Sequence, residues 1–282
     1  MKYPVGIMAD SLRIPVRDAI IRSAELGANG VQLYAVGGEF CFENMPDTKR
    51  SDYKMLLKAH GLVISALCAQ FEGPGFMVPA LNRQRIRESR KVMDLAVSLD
   101  CRIVTTHIGA VPRDTESERY ATLVDACRKL GAIGEEYGGY FAIETGPEEP
   151  ERLLAFLEDV GSRHVKVNYD PANLVMVTAT DPIKGVYTLK DYSVHTHAKD
   201  GENLLPCDPE LIYGPDAPDI GELLNKTPYF RETRLGEGKV DIPAWIKALE
   251  DVGYEGFVTI ERECGDRPDD DIREAVDYLK SL

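Results

Sequence analysis

The sequence predicts a single (β/α)8 TIM barrel, and three observations predict it. Short runs rich in Val, Ile, Leu and aromatic residues alternate with longer segments of helical composition, eight of the first and about eight of the second along 282 residues. Such alternation means parallel strands joined by right-handed crossovers, and eight units of this kind close into a barrel. The strand cores are apolar on both faces, as strands covered by helices are. Strands four to eight each run out onto a His, Glu or Asp, which suits a fold whose chemistry gathers at the C-terminal rim.

Val5-Gly-Ile-Met-Ala is the first strand, and Pro15 to Leu26 its helix, stopped at Gly27. Gly30 to Tyr34 is the second strand, followed by a Gly/Phe loop and a helix from about Ser51 to His60 that Gly61 ends. Leu62 to Cys68 is the third. It opens into the loop Gln70-Phe-Glu-Gly-Pro-Gly-Phe76 and a long helix reaching Leu99. Arg102 to His107, the fourth, leads through Pro112 into a helix from about Thr115 to Tyr137, ended by Gly138 and Gly139. Tyr140 to Glu144 is the fifth, and Glu148-Glu-Pro-Glu opens the next helix with acids where the N-terminal dipole favours them. His164 to Tyr169 is the sixth, its helix capped by Thr180-Asp-Pro182.

The seventh strand is Tyr192-Ser-Val-His195-Thr-His-Ala-Lys-Asp200. After strand 7 comes a long loop, Gly201 to Lys239, with five prolines, which reads as a lid or binding loop. A helix from Ile242 to Val252, an eighth strand at Gly256 to Glu261 and a helix from about Pro268 to Leu282 follow. No break in composition marks a second domain, so residues 1–282 are expected to form one.

Composition narrows the function without naming it. A hydrophobic share of 44% and a charged share of 28% are those of an ordinary globular chain. No apolar run approaches the roughly 20 residues of a membrane span. The N-terminus enters a strand pattern directly, without the apolar core of a signal peptide. Six scattered cysteines with no Cys-x-x-Cys pair then favour reduced thiols and a cytoplasmic location. A net charge of −14 repels phosphate backbones, so neither nucleic acid nor a membrane is expected as a partner. A homo-oligomer is compatible with the sequence.

The strand ends carry the chemistry: His107, Glu144, Asp170, His197 and Glu261. Side chains alternate along a strand, so His195, His197 and Lys199 share one side. Three ionisable groups on a buried face are costly unless they bind or pair with something. Two Glu, one Asp and one His make a mixed oxygen and nitrogen set without a thiolate. Such a set suits one hard or borderline divalent ion in six-coordinate geometry, Mn²⁺ first, with Mg²⁺, Co²⁺ and Zn²⁺ as alternatives. A structural ion-pair network is the competing reading.

The motifs Ala142-Ile-Glu144-Thr, Asn168-Tyr-Asp170-Pro-Ala-Asn, His195-Thr-His197-Ala-Lys-Asp, Leu235-Gly-Glu-Gly-Lys-Val-Asp241 and Gly253-Tyr-Glu-Gly-Phe-Val-Thr-Ile-Glu261 run through most of the chain in order. Together they resemble the sugar phosphate isomerase/epimerase superfamily, the xylose isomerase-like barrels that include ketose 3-epimerases, hydroxypyruvate isomerase, inosose-processing enzymes and a DNA-repair endonuclease branch. The resemblance implies Glu144, Asp170, His197 and Glu261 as metal ligands. Many members carry a His three residues after the Asp; here that position is Asn173. In the multi-zinc endonucleases that His is a ligand, so its replacement argues against a nuclease. In epimerases it touches substrate, which places Asn173 among the substrate-binding candidates.

The expected chemistry is proton abstraction beside a carbonyl, through an enediolate stabilised by the metal. Glu144 and Glu261 are the catalytic candidates. Passing the proton between faces of one carbon gives epimerisation, and returning it to the neighbouring carbon gives isomerisation. His107 and Lys199 would stand behind the ligands or orient substrate, a salt bridge to a neighbouring carboxylate being the alternative for Lys199, and Glu72, in the loop after the third strand, could reach substrate. A carbohydrate or small keto-acid is the expected ligand, unphosphorylated because no Gly-rich phosphate cradle appears. The alternatives are an inosose-type dehydratase, an abasic-site endonuclease and a non-catalytic sugar-binding barrel. His195 reads as structural, one layer down. His60 suits a helix C-terminus, and His164 lies on the opposite rim. Phe71, Phe76 and Trp245 read as packing, and Arg231 and Arg234 as surface charges.

Overall fold

The computed structural model describes all of residues 1–282, and its eight long-range strands close on themselves. They are β1 (Val5–Met8), β2 (Gly30–Tyr34), β3 (Val63–Cys68), β4 (Ile103–Thr106), β5 (Tyr140–Glu144), β6 (Val165–Tyr169), β7 (Ser193–Ala198) and β10 (Val258–Ile260). Around the barrel they run β1-β10-β7-β6-β5-β4-β3-β2 and pair in parallel throughout. The expected barrel is the observed one.

The helices form the outer layer: α1 (Val16–Glu25), α2 (Asp47–Ala59), α3 (Pro79–Ser98), α4 (Glu118–Tyr137), α5 (Pro150–Val160), α7 (Pro182–Thr188), α10 (Ile242–Asp251) and α11 (Pro268–Ser281). Their apolar faces meet the outside of the strands, where Trp245, Phe141, Phe156 and Ile20 are fully buried in one continuous core. No helix is long and apolar enough to cross a membrane. All six thiols are free, and Cys41, Cys68, Cys101 and Cys127 are buried.

Local chemistry moves some boundaries. The second helix starts at Asp47, a turn earlier than Ser51, because Pro46 presets the entry and Asp47 suits the first turn. The fourth starts at Glu118 and not Thr115: Asp114 holds a turn through the Glu116 N–H at 3.0 Å, and Ser117 caps the helix by accepting from the Tyr120 N–H at 3.3 Å. After β6 the chain does not enter a plain loop. It forms a helical turn, α6 (Pro171–Asn173), and a wide π-helical turn over Leu174–Thr178.

The segment after β7 is more ordered than a long loop. It begins as β8 (Asp200–Asn203), passes two short helices, α8 (Glu210–Tyr213) and α9 (Ile220–Lys226), and returns as β9 (Phe230–Thr233), antiparallel to β8. Asp200 locks this excursion to the barrel. Its Oδ1 accepts the N–H groups of Gly201 at 2.8 Å and Val240 at 3.0 Å, and its Oδ2 those of Gly236 and Gly238, both at 2.9 Å. The Leu-Gly-Glu-Gly motif is therefore a ring of backbone donors around one buried carboxylate, whose neighbours leave no room for a side chain at Gly238.

Replacing Asp200 with Ala strands those four N–H groups. Asp200→Ala is expected to cost at least about 3 kcal/mol in urea unfolding and to speed amide exchange at residues 236–240.

Candidate metal centre

Four strand ends converge. Glu144 closes β5, Asp170 follows β6, His197 is the penultimate residue of β7 and Glu261 follows β10. All four are buried, and one ligand atom from each lies within 4.8 Å of the others. His197 Nδ1 is the hub: 3.6 Å from Glu144 Oε1, 3.6 Å from Asp170 Oδ2 and 3.3 Å from Glu261 Oε2.

Each side chain is aimed by its surroundings. Asp170 Oδ1 caps α6 by accepting the N–H groups of Ala172 at 2.8 Å and Asn173 at 3.0 Å, which turns Oδ2 toward His197. Thr145 pins the Asp170 backbone, its hydroxyl accepting from the amide at 2.8 Å and donating to the carbonyl at 2.9 Å. His197 donates from Nε2 to Gln32 Oε1 at 2.9 Å, which turns Nδ1 toward the carboxylates. Glu144 is held on both oxygens by neutral donors, Asn173 Nδ2 to Oε1 at 3.0 Å and Asn168 Nδ2 to Oε2 at 3.1 Å, with His107 Nε2 3.5 Å from Oε2. Glu261 is held differently: the Lys199 ammonium donates to its Oε2 at 2.8 Å and also pairs with Glu263.

A polar floor lies one layer down. Thr259 donates to His195 Nε2 at 3.0 Å, His195 Nδ1 donates to Asn168 Oδ1 at 2.8 Å, and Asn168 passes on to Glu144. Gln32 reaches Thr105 Oγ1 at 3.0 Å. Burial and the neighbouring His197 push the His195 imidazole well below its usual range, so it is neutral and supports the layer above. Gly6 makes room for Thr259, since a Cβ there would stand 2.4 Å from Thr259 Oγ1.

Two buried atoms at the hub, Asp170 Oδ2 and His197 Nδ1, have no hydrogen-bond partner. Leaving such groups unsatisfied costs about 1–3 kcal/mol each. Burial alone would depress the His197 imidazole, yet Glu261 and Glu144 raise it well above its usual range. The cluster thus draws positive charge to one point, and its oxygen-rich donor set fits a divalent cation.

Residues 20–282 match the family model described as "Xylose isomerase-like TIM barrel". The chain belongs to that family. An uncharacterized protein of Methanocaldococcus jannaschii is 24% identical over 216 residues, 70% of this chain and 62% of that protein, so the chain spans under two thirds of the length of the curated relative it matches. Among solved structures, a xylose isomerase domain protein from Planctomyces limnophilus superposes with a TM-score of 0.79 at 23% identity, over 100% of this chain and 97% of that one. The probable 3-DHS dehydratase AsbF of Bacillus anthracis gives 0.74 at 19% identity, over 99% of each chain. D-psicose 3-epimerase with D-tagatose from Clostridium cellulolyticum H10 gives 0.74 at 14%, again over 99% of each. At these identities the likeness shows the barrel that all of them share.

The remaining candidates fall around the family's rim. Asn173 binds Glu144 and the Thr145 carbonyl, so it orients a carboxylate and is not itself aimed at the hub. His107 is half-buried against Glu144, and its ring lies 5.6 Å from that of Tyr213 on α8. Glu72 is exposed, its backbone carbonyl taken by Arg85 at 2.5 Å. Phe71 and Phe76 pack edge to face and Trp245 is buried, as expected of packing residues. Arg231 pairs with Glu202, and Arg234 with Asp271 and Glu274.

Sequence reasoning missed Gln32, Asn168, Tyr213 and Glu263. Gln32 and Asn168 were visible as amides inside otherwise apolar strands, and a buried mid-strand amide needs partners. Tyr213 gave no such signal. Gly146, at φ 149°, approaches Tyr213 so closely that a Cβ there would lie 3.0 Å from its hydroxyl. On the same rim a cavity of about 430 Å³ is lined by Val111, Arg113, Glu149, Arg152 and Glu210 among others.

Glu148 stands behind this cavity, buried, accepting the Val111 N–H at 3.3 Å. Burial pushes its carboxyl up from 4.5 to about 8. The folded state therefore holds a proton that the unfolded chain releases, and the stability this confers is full below pH 4.5 and lost as pH rises through about 8. Glu148→Gln, which keeps an oxygen for Val111, should flatten that loss. Thermal melts at pH 5 and 8 are expected to show the parent losing at least about 1 kcal/mol more than the variant across this window.

Proposed function

We propose that the protein is a divalent-metal-dependent isomerase or epimerase of a sugar or small hydroxy-keto substrate, with Glu144, Asp170, His197 and Glu261 holding one ion, Mn²⁺ first among the candidates. The observation that carries this is the hub, where three carboxylates and an imidazole converge while Asp170 Oδ2 and His197 Nδ1 have no protein partner. An ion bound there would draw charge from a carbonyl and its neighbouring hydroxyl as the adjacent proton leaves.

The chain's own residues divide the rest. Glu144 and Glu261 stand on β5 and β10, separated around the barrel by β6 and β7, so a substrate over the hub lies between them. Glu144 has both oxygens engaged by Asn173, Asn168 and His107. Glu261 has Oε2 engaged, while Oε1 carries no hydrogen bond and is not among the buried unpartnered atoms. Glu261 Oε1 is therefore the readier oxygen to take a proton from substrate. For epimerisation Glu144 delivers to the opposite face a proton it has first taken from solvent, and Glu261 releases the proton it took to solvent; for isomerisation Glu261 returns its own proton to the next carbon. His107 and Tyr213 close the side of the mouth beside Glu144 and limit water there. The likeness to a psicose epimerase and a probable dehydratase is consistent with proton abstraction beside a carbonyl.

The test is a panel of ketoses and hydroxy-keto acids in D₂O with Mn²⁺, followed by NMR. Deuterium should enter one substrate at the carbon beside its carbonyl, and Glu261→Gln should abolish that exchange with the fold intact. Undiminished exchange in Glu261→Gln would refute the assignment, and loss of water from the substrate would move the enzyme to the dehydratases. Independently of substrate, Mn²⁺ at a hundredfold excess over its Kd should stabilise the protein by about 2.7 kcal/mol, a rise of several degrees in Tm that EDTA reverses. An unchanged Tm would argue against the ion.

A further inference from the structure

We infer that Lys199 is a positioning residue for the ion site, acting through Glu261 and braced by Glu263; this rests on the metal-site reading above. A lysine at a barrel mouth invites a role in binding substrate. The geometry gives it another occupation. Lys199 is 4% exposed, and its ammonium lies between Glu261 on the inner side and Glu263 on the outer. The oxygen it holds on Glu261, at 2.8 Å, is Oε2, the same oxygen that stands 3.3 Å from His197 Nδ1. Lys199 thus fixes which oxygen of Glu261 faces the ion, and leaves Oε1 turned away from the clamp.

The brace is itself anchored. Glu232 on β9 accepts the Glu263 N–H at 3.1 Å, and Arg13 donates to the Glu263 carbonyl at 2.7 Å. Arg262 ties the same loop to Glu232, and to Asp271 at 2.9 Å. The β8–β9 excursion therefore sets the place of Glu263, Glu263 sets Lys199, and Lys199 sets Glu261. Glu144 has no such chain; uncharged amides aim it.

Positioning and simple charge balance make opposite predictions. Lys199 and Glu263 cancel in charge, so Lys199→Met combined with Glu263→Gln removes the clamp and leaves the net charge unchanged. If Lys199 positions Glu261, calorimetric titration with Mn²⁺ should show the paired variant binding about 10- to 100-fold more weakly. In a Glu261→Gln background the same pair of changes should then cost little more, because its target is already gone. Lys199→Gln, a smaller change, supplies the same comparison if the paired variant does not fold, and a urea melt of each variant reports folding. Parent-like Mn²⁺ affinity in the paired variant, or a full additional loss in the Glu261→Gln background, overturns the inference while leaving the metal site standing. A parent protein that binds no Mn²⁺ overturns both.

Discussion

Three carboxylates brought to one imidazole inside a closed barrel is the constraint on which the rest of this structure turns. Buried charges of one sign are costly unless a cation or hydrogen bonds compensate them. Glu144, Asp170 and Glu261 meet that demand unequally: amides serve the first, a helix start the second and an ammonium the third. What none of them satisfies is the point between Asp170 Oδ2 and His197 Nδ1. A fold that needed only stability would place apolar side chains there. The orphaned pair is the cost of a site.

That constraint explains the layer beneath. A histidine presents Nδ1 to an ion only if its other nitrogen is held, and Gln32 on β2 holds it from the far wall. Gln32 is itself held by Thr105, while Asn168 joins Glu144 to His195 and, through it, to Thr259. Burial beside His197 keeps His195 neutral, so that Nδ1 donates to Asn168 while Nε2 accepts from Thr259. The floor is polar because the hub above it must be oriented.

The fold and the hub were legible in the sequence for one reason: strands four to eight are largely apolar runs that give way to ionisable residues at their ends, and a barrel collects those ends on one rim. Glu144, Asp170, His197 and Glu261 needed no register to be recognised. Asn168 did. Its partnership with His195 depends on a shift in pairing between Val167 and Asn168 on β6, and one residue of slip would turn it to the other face. The excursion was hidden for a different reason. Its strands are four residues each, and they pair across more than twenty intervening residues. Five prolines there read as loop, although proline also starts short helices. Tyr213 reaches His107 only because that excursion folds back, and no local pattern announces a long-range return.

In this chain the two glutamates are not equivalent. Both oxygens of Glu144 are occupied, each by an uncharged amide, whereas Glu261 is gripped on one oxygen by an ammonium and free on the other. A symmetric pair of bases would suit one substrate carbon presented equally to both sides. Under the proposed function, the asymmetric pair would suit a substrate whose proton leaves toward Glu261, with the Glu144 side lined by Asn173, His107 and Tyr213. Asn173 is central to that difference: an amide there donates to Glu144 and fixes it, while a histidine would bring a titrating group to the same place. Asn173 thus settles Glu144 into one orientation.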